Sequence, residues 1–115
     1  MEIDLFAGIR VRDYKAARSW YERLLGKEPT FFPTDTEAVW ELAEHRYVFI
    51  VEDRDAAGGA NNLIWVDDLE VLVAEISLRG IEPAKRETLS NGVRKVVYRD
   101  LDGNEFGLGG APVKE

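Results

Sequence analysis

The stretches VRDYKAARSWYERLLGKEP (residues 11–29) and VDDLEVLVAEISLRGIEP (residues 66–83) decide the fold, because they are two copies of one pattern. Each copy begins at the end of an apolar run, carries an aspartate at its entry and closes on Gly-x-Glu-Pro. The aspartates, Asp13 and Asp68, are 55 positions apart and the closing motifs are 54 apart, so a gap of one residue aligns the copies. The sequence therefore predicts an internal repeat of about 55 residues.

Both copies predict an amphipathic helix. Apolar residues recur in each at the i, i+3, i+4 and i+7 positions, which places them on one helical face. Asp13 and Asp68 stand where N-cap residues are expected, and Gly26 and Gly80 stand where helices commonly stop. We therefore expect two helices, each with one buried stripe.

Alternating apolar runs around the helices predict the strands. They cover residues 4–11, 28–33, 37–43, 46–52, 61–66, 82–89, 93–100 and 104–109. Asn91-Gly92 and Asp102-Gly103 predict tight hairpin turns, and residues 53–62 form the best linker. The predicted fold is a single α+β domain of two βαβββ modules, about residues 1–53 and 60–112, related by a pseudo-twofold. Their curved mixed sheets enclose a cavity, and the helices lie on the outer face.

Composition narrows the function. The 115 residues include no cysteine and one histidine, so thiolate chemistry is absent and a transition-metal site would need an unusual carboxylate-rich ligand set. The net charge of −7 disfavours nucleic acid as a partner. No apolar run approaches the ~20 residues of a membrane helix, and the N-terminus lacks the features of a signal peptide. We therefore expect a cytoplasmic protein with no membrane partner.

Three segments resemble the vicinal oxygen chelate superfamily, which includes glyoxalase I, extradiol dioxygenases and the fosfomycin- and bleomycin-resistance proteins. They are IRVRDYKAARSWYERLLG (9–26), LIWVDDLEVLVAEISLRGIEP (63–83) and YRDLDGNEFGL (98–108), in the order and spacing of that family. The Asp-x-Asp-Gly-Asn turn with its preceding aromatic residue is the most specific of these features. The resemblance implies a homodimer whose pockets lie between two chains.

The resemblance also implies four metal-ligand positions in catalytic relatives. They fall here on Phe6, Asn61, Gly107 and, within a residue or two, Phe49. None of these residues is a good ligand, so we expect no metal and no cofactor. Within the superfamily, the chain is therefore most similar in character to the metal-free bleomycin-resistance proteins. The motif beginning at Asp100 superficially resembles a calcium loop. It lacks the glycine and glutamate spacing of an EF-hand, so it predicts a turn.

Strand alternation predicts the lining of the pocket once those positions are taken as inward. The predicted ligand-binding residues are Phe6, Arg10, Phe32, Trp40, Phe49, Asn61, Trp65, Arg99 and Glu105. Alternation assigns no face to Trp40 or to the pair Phe31 and Phe32, and no residue receives a catalytic role. The glycines of the last strand predict room for a ligand, since a core would normally fill it. The alternative is that Phe6, Phe49 and Trp65 pack as a solid core.

These observations leave three functions open. The leading hypothesis is a metal-free protein that sequesters an aromatic or cationic natural product, because aromatic walls bind both kinds of ligand. The second is a glyoxalase- or dioxygenase-like lyase or isomerase, with a relocated metal or a carboxylate base such as Glu105. The third is a structural or regulatory module that has lost its pocket.

Overall fold

A computed structural model describes residues 1–113 of the chain. Its elements follow the order β1 (Leu5–Val11), α1 (Tyr14–Leu25), β2 (Glu37–Ala43), β3 (Arg46–Glu52), β4 (Asn61–Trp65), α2 (Leu69–Leu78), β5 (Lys85–Thr88), β6 (Arg94–Arg99) and β7 (Glu105–Gly110). This is the α+β arrangement of two successive modules that the repeat predicts. No helix in residues 1–113 is long and apolar enough to cross a membrane.

The two helices end differently from each other. In α1 the side chain of Asp13 accepts a hydrogen bond from the backbone N–H of Ala16, as an N-cap does. Gly26 ends that helix in the left-handed conformation, with φ of 76°, which glycine adopts without strain. In α2 the side chain of Asp68 makes no capping hydrogen bond. Both aspartates therefore occupy the predicted N-cap positions, but only the Asp13 side chain caps its helix by a hydrogen bond.

The strands form two mixed sheets with matching topologies. The first sheet has the order β1-β3-β2 and the second β4-β7-β6-β5. The pairs β1 with β3 and β4 with β7 are parallel, and the remaining neighbours are antiparallel. In each module the first strand thus pairs in parallel with the last strand, as the pseudo-twofold predicts.

One predicted strand is wrong. Residues 28–33 form only an isolated antiparallel bridge, between Phe31 and Val39, at the place that β5 occupies in the second sheet. Pro29 and Pro33 bracket this segment. Because proline has no N–H to donate, a regular ladder cannot extend through either position.

Both modules contribute to one hydrophobic core between the sheets and the helices. Its largest fully buried side chains are Trp40, Tyr21, Tyr98 and Phe106, two from each module. A buried polar contact also joins the modules, because the Nδ2 of Asn104 donates to the backbone oxygen of Arg10 at 3.0 Å. The fold therefore holds two sheets over a shared core and leaves their other sides exposed.

Candidate functional site

The sides of the two sheets that are turned away from the helices form what we call the open face. On the first sheet it carries Phe6, Gly8 and Arg10 of β1, while Ile9 and Val11 are buried in the core. The Phe6 ring stacks on Tyr47 of β3 with centroids 4.3 Å apart and planes inclined by 6°. Loss of solvation, followed by the Glu41 carboxylate, raises the pKa of the Tyr47 phenol. This side of the sheet is an exposed aromatic platform.

Gly8 fits beneath another ring of this platform. A Cβ added at Gly8 would lie 2.7 Å from the Cζ of Phe49, a distance that real side chains do not adopt. The glycine therefore lets the Phe49 ring approach the backbone of β1 closely. Phe6 and Phe49, which the sequence places at two metal-ligand positions, both belong to this platform.

On the second sheet the open face is shaped by the glycines of β7. A Cβ at Gly107 would meet the Cδ1 of Leu63 at 3.3 Å, and a Cβ at Gly109 would meet the Trp65 ring at 3.0 Å. The side chains of β4 therefore lean over β7 and occupy the space that the missing side chains leave. The prediction that these glycines leave empty room for a ligand needs correction. The side chains of Leu63 and Trp65 pack over these glycines and remain 48% and 56% exposed.

The charged residues of the predicted site are paired within their own modules. Arg10 lies 3.6 Å from the Oδ2 of Asp53, and both side chains are largely exposed. Arg99 donates to the Oε2 of Glu105 at 2.9 Å across β6 and β7. Asn61 begins β4 and is exposed. These groups add polar contacts at the border of the aromatic surface.

Two predicted ligand-binding residues lie elsewhere. Trp40 is fully buried in the core, where its Nε1 donates to the backbone oxygen of Lys27 at 2.9 Å. Phe32 packs beneath the guanidinium of Arg18 on α1, with the Cζ 4.7 Å from the ring centroid. Neither position belongs to the open face, so we correct the predicted site by removing both residues.

Phe31 is the residue of the aromatic pair that reaches the open face, although it was missing from the predicted set. It bridges to Val39, which in turn pairs with Phe49, and residues paired across antiparallel strands share a face. Phe31 is 43% exposed. Only the bridge to Val39 determines the direction of its side chain, because no regular strand runs through this segment.

The four positions at which the family places metal ligands do not fit a metal ion. Two are phenyl rings, one is the amide of Asn61, and the Gly107 position is covered by Leu63. Within residues 1–113, no group of three or more histidine, aspartate or glutamate side chains is arranged to hold a metal. A metal-dependent step therefore has no basis in the donor set of this site.

A cleft of about 620 Å³ lies between the two sheets, beside the open face. Leu5 and Ala7 of β1 line one side, and Leu63 and Trp65 of β4 line the other. Strands β1 and β4 each pair with one neighbouring strand, β3 and β7 respectively, so the other edge of residues 5–7 and of residues 63–65 borders the cleft. Trp65 lines this cleft and also lies on the open face.

Comparison with known proteins identifies the family. No profile of a known protein family and no curated protein matches the sequence. A glyoxalase / bleomycin resistance protein from Catenulispora acidiphila DSM 44928 is 50% identical, with a TM-score of 0.93 over 96% of this chain and 100% of that chain. A bleomycin-binding protein complexed with bleomycin shares the fold at 16% identity, with a TM-score of 0.77 over 96% and 99% of the two chains. Lactoylglutathione lyase from Agrobacterium tumefaciens shares it at 18% identity, with a TM-score of 0.72 over 93% and 92%. The chain therefore belongs to the glyoxalase and bleomycin-resistance proteins of the vicinal oxygen chelate superfamily.

Proposed function

We propose that this chain is a metal-free protein that binds and sequesters an aromatic or cationic natural product on its open face. The observation that carries the proposal is the character of the four family ligand positions, where aromatic and apolar groups replace donor atoms. Phe6 and Trp65 are 45% and 56% exposed there, although burial is the ordinary place for such side chains. Exposed aromatic patches commonly mark binding sites.

The energetics suit a planar ligand. A stacked aromatic pair contributes about 0.5–1.5 kcal/mol beyond the burial of its surface, and a cation over a tryptophan face contributes a similar amount. Phe6 and Tyr47 are already stacked in parallel, so the platform needs little reorganisation to accept a further ring. The net charge of −7 favours the approach of cationic ligands. Among the fold relatives, a bleomycin-binding protein has been crystallised with its drug.

We extend the proposal to a homodimer in which the open face of each first sheet packs against the second sheet of the partner. The half-exposed aromatic residues give such a contact an apolar centre. The strand residues around that centre have opposite net charge on the two sheets: Arg10, Glu37 and Glu41 on the first, and Lys85, Glu87, Lys95, Arg99 and Glu105 on the second. Such complementarity favours association between copies and fixes their orientation. Light scattering coupled to size-exclusion chromatography should give twice the mass of the chain, and a monomer at all concentrations would refute the dimer.

Tryptophan fluorescence tests ligand binding directly. Trp20 and Trp40 are 7% and 0% exposed, so Trp65 is the tryptophan that a bound compound can reach. Titration with a panel of planar and cationic natural products, bleomycin among them, should quench this emission with a saturable profile. Quenching by none of the panel would contradict the proposal.

A matched pair of variants assigns the binding to the open face. Phe6 and Phe32 are similarly exposed, at 45% and 48%, but only Phe6 lies on that face. Phe6→Ala should weaken binding by about tenfold, through lost stacking and lost buried area, whereas Phe32→Ala should leave the affinity unchanged. Equal effects of the two substitutions would place the ligand elsewhere.

The enzyme hypothesis finds no support in the environment of Glu105. A carboxylate base that works near neutral pH is normally held in an apolar, desolvated pocket. Glu105 instead forms an ion pair with Arg99, and its side chain is 34% exposed. We therefore assign it no catalytic role.

A further inference from the structure

The cleft between the sheets is also lined by polar residues, which the binding of a purely apolar or cationic ligand leaves unused. Its walls are mostly apolar, from residues that include Leu5, Ala7, Ile64 and Trp65, but Arg46 and Asn62 also line it. A volume of about 620 Å³ lies within the usual range for small-molecule sites. The cleft is thus an apolar slot with a cation at its border.

Within the described residues Arg46 forms no salt bridge with an acidic residue, although three carboxylates lie near its chain neighbour His45. The Nδ1 of the His45 ring lies 2.5 Å from Asp4 and its Nε2 lies 3.3 Å from Glu44. Glu2 lies 3.8 Å from the same Nε2. Within residues 1–113, no carboxylate approaches within 4.0 Å of Arg46.

An unpaired guanidinium beside apolar walls has a defined chemical complement. Arginine recognises carboxylates through two parallel N–H donors, and such charge-assisted hydrogen bonds are stronger than neutral ones. Trp65 borders both the open face and the cleft, so one molecule can stack on the indole and extend toward Arg46. Tyr47 and Leu63 line the cleft as well and belong to the same aromatic and apolar surface.

We propose that the ligand is an aromatic carboxylate, whose ring system stacks on Trp65 and whose carboxylate enters the cleft and pairs with Arg46. The inference rests on the proposed function, because it assumes that a ligand occupies the open face. It keeps the aromatic body of the proposed ligand and replaces the cationic alternative by an anionic end, because the local charge of Arg46 is expected to outweigh the net charge of −7.

Three probes of one shape test the charge preference: naphthalene-2-carboxylate, its neutral amide and 2-naphthylmethylammonium. Isothermal titration calorimetry on the intact protein should show the carboxylate binding about tenfold more tightly than the amide, equivalent to about 1.4 kcal/mol, with the ammonium weakest. Raising the salt concentration should reduce this preference, because it screens the ion pair.

Variants connect the preference to Arg46. Arg46→Gln should remove the difference between carboxylate and amide, and Arg46→Lys should keep part of it. Arg54→Gln is the matched control, since Arg54 is exposed in the linker and the substitution removes the same charge away from the cleft. Trp65→Ala should weaken all three probes together. Circular dichroism confirms that each variant is folded.

The outcomes separate the two proposals. Equal binding of the carboxylate and the amide, or an equal effect of the Arg46 and Arg54 substitutions, overturns this inference and leaves the proposed function standing. Failure of all three probes to bind the wild-type protein counts against the proposed function, and the inference fails with it.

Discussion

The hydroxyl of Tyr21 lies at the buried contact between the two modules. It donates to the Oδ2 of Asp100 at 2.7 Å, and the same oxygen accepts from the Nδ2 of Asn104 at 2.9 Å. Burial, followed by the charge of Asp100, raises the pKa of Tyr21 far above its ordinary value of about 10. The phenol therefore keeps its proton in the folded protein under conditions in which the unfolded chain loses it.

This shift predicts a loss of stability at alkaline pH. Because the folded pKa of Tyr21 is the higher one, its contribution is fully present below about pH 10 and is lost as the pH rises above that value, by up to about 1.4 kcal/mol per pH unit. Burial also raises the pKa of Tyr98, which contributes in the same direction. Tyr21→Phe should cost about 1–2 kcal/mol at neutral pH and should lessen the alkaline loss. Urea unfolding from about pH 8 to 11 measures both effects, and a constant offset between variant and wild type would contradict the assignment.

For part of the candidate site, the sequence alone was sufficient to predict which side chains share a face. On β1 and β3 the alternation places Phe6, Arg10 and Phe49 on one face, because both strands are regular and have buried partners on the other. Trp40 and Phe32 were not predictable in this way. Trp40 lies on a strand that holds no predicted metal-ligand position, so its inward face could not be assigned. Phe32 lies between two prolines, in a segment whose direction depends on its contact with Arg18.

The helices show how far a repeat in sequence is a repeat in structure. Asp13 and Asp68 are equivalent in the repeat, but only Asp13 makes the capping hydrogen bond, to Ala16 at 3.2 Å. Their backbones also differ, since ψ is 102° at Asp13 and 73° at Asp68. The sequence predicted both caps because residue type alone does not report this difference in backbone geometry.

The two aspartates provide a comparison within one molecule. Asp13→Ala should lower the free energy of unfolding by about 1 kcal/mol, because it leaves the N–H of Ala16 without its partner. Asp68→Ala should have a clearly smaller effect, since no hydrogen bond is lost. Chemical denaturation of the two variants measures the difference, and equal losses would show that Asp68 caps its helix in solution.

Most of the helices and strands were predictable from the sequence, and the exceptions have physical causes. The helices and seven strands follow from periodicity and turn residues, whereas the segment around Phe31 is limited to one bridge by its flanking prolines. The glycines of β7 predicted open space because a sequence does not show which neighbouring side chain will cover a strand. In the structure Leu63 and Trp65 cover it.

One buried polar residue, Asn104, lies at the junction of the two modules of the molecule. Asn104 is 1% exposed, and its side chain accepts from the N–H of Ala60 at 3.0 Å while it donates to the backbone oxygen of Arg10. It therefore satisfies buried groups from both modules at once. The Asp-x-Asp-Gly-Asn motif, which identified the family in the sequence, has this structural role.

Asn104→Ala should destabilise the whole protein in one transition, because both modules share the core that this contact joins. The expected cost is about 2–4 kcal/mol, since buried backbone groups of Arg10 and Ala60 lose their partner. Asn91→Ala is the control, as Asn91 makes one hydrogen bond in an exposed hairpin and should cost much less. Differential scanning calorimetry measures both, and separate unfolding of the two modules would contradict a shared core.

The metal content of the purified protein tests the central claim most directly. The account holds that Phe6, Phe49, Asn61 and Gly107 replace the metal ligands of catalytic relatives, so protein prepared without chelator and incubated with nickel, zinc, iron or manganese should carry only traces of metal after desalting. Elemental analysis by mass spectrometry gives the ratio of metal to chain. A stoichiometric, tightly held transition ion would contradict the account and would favour an enzyme.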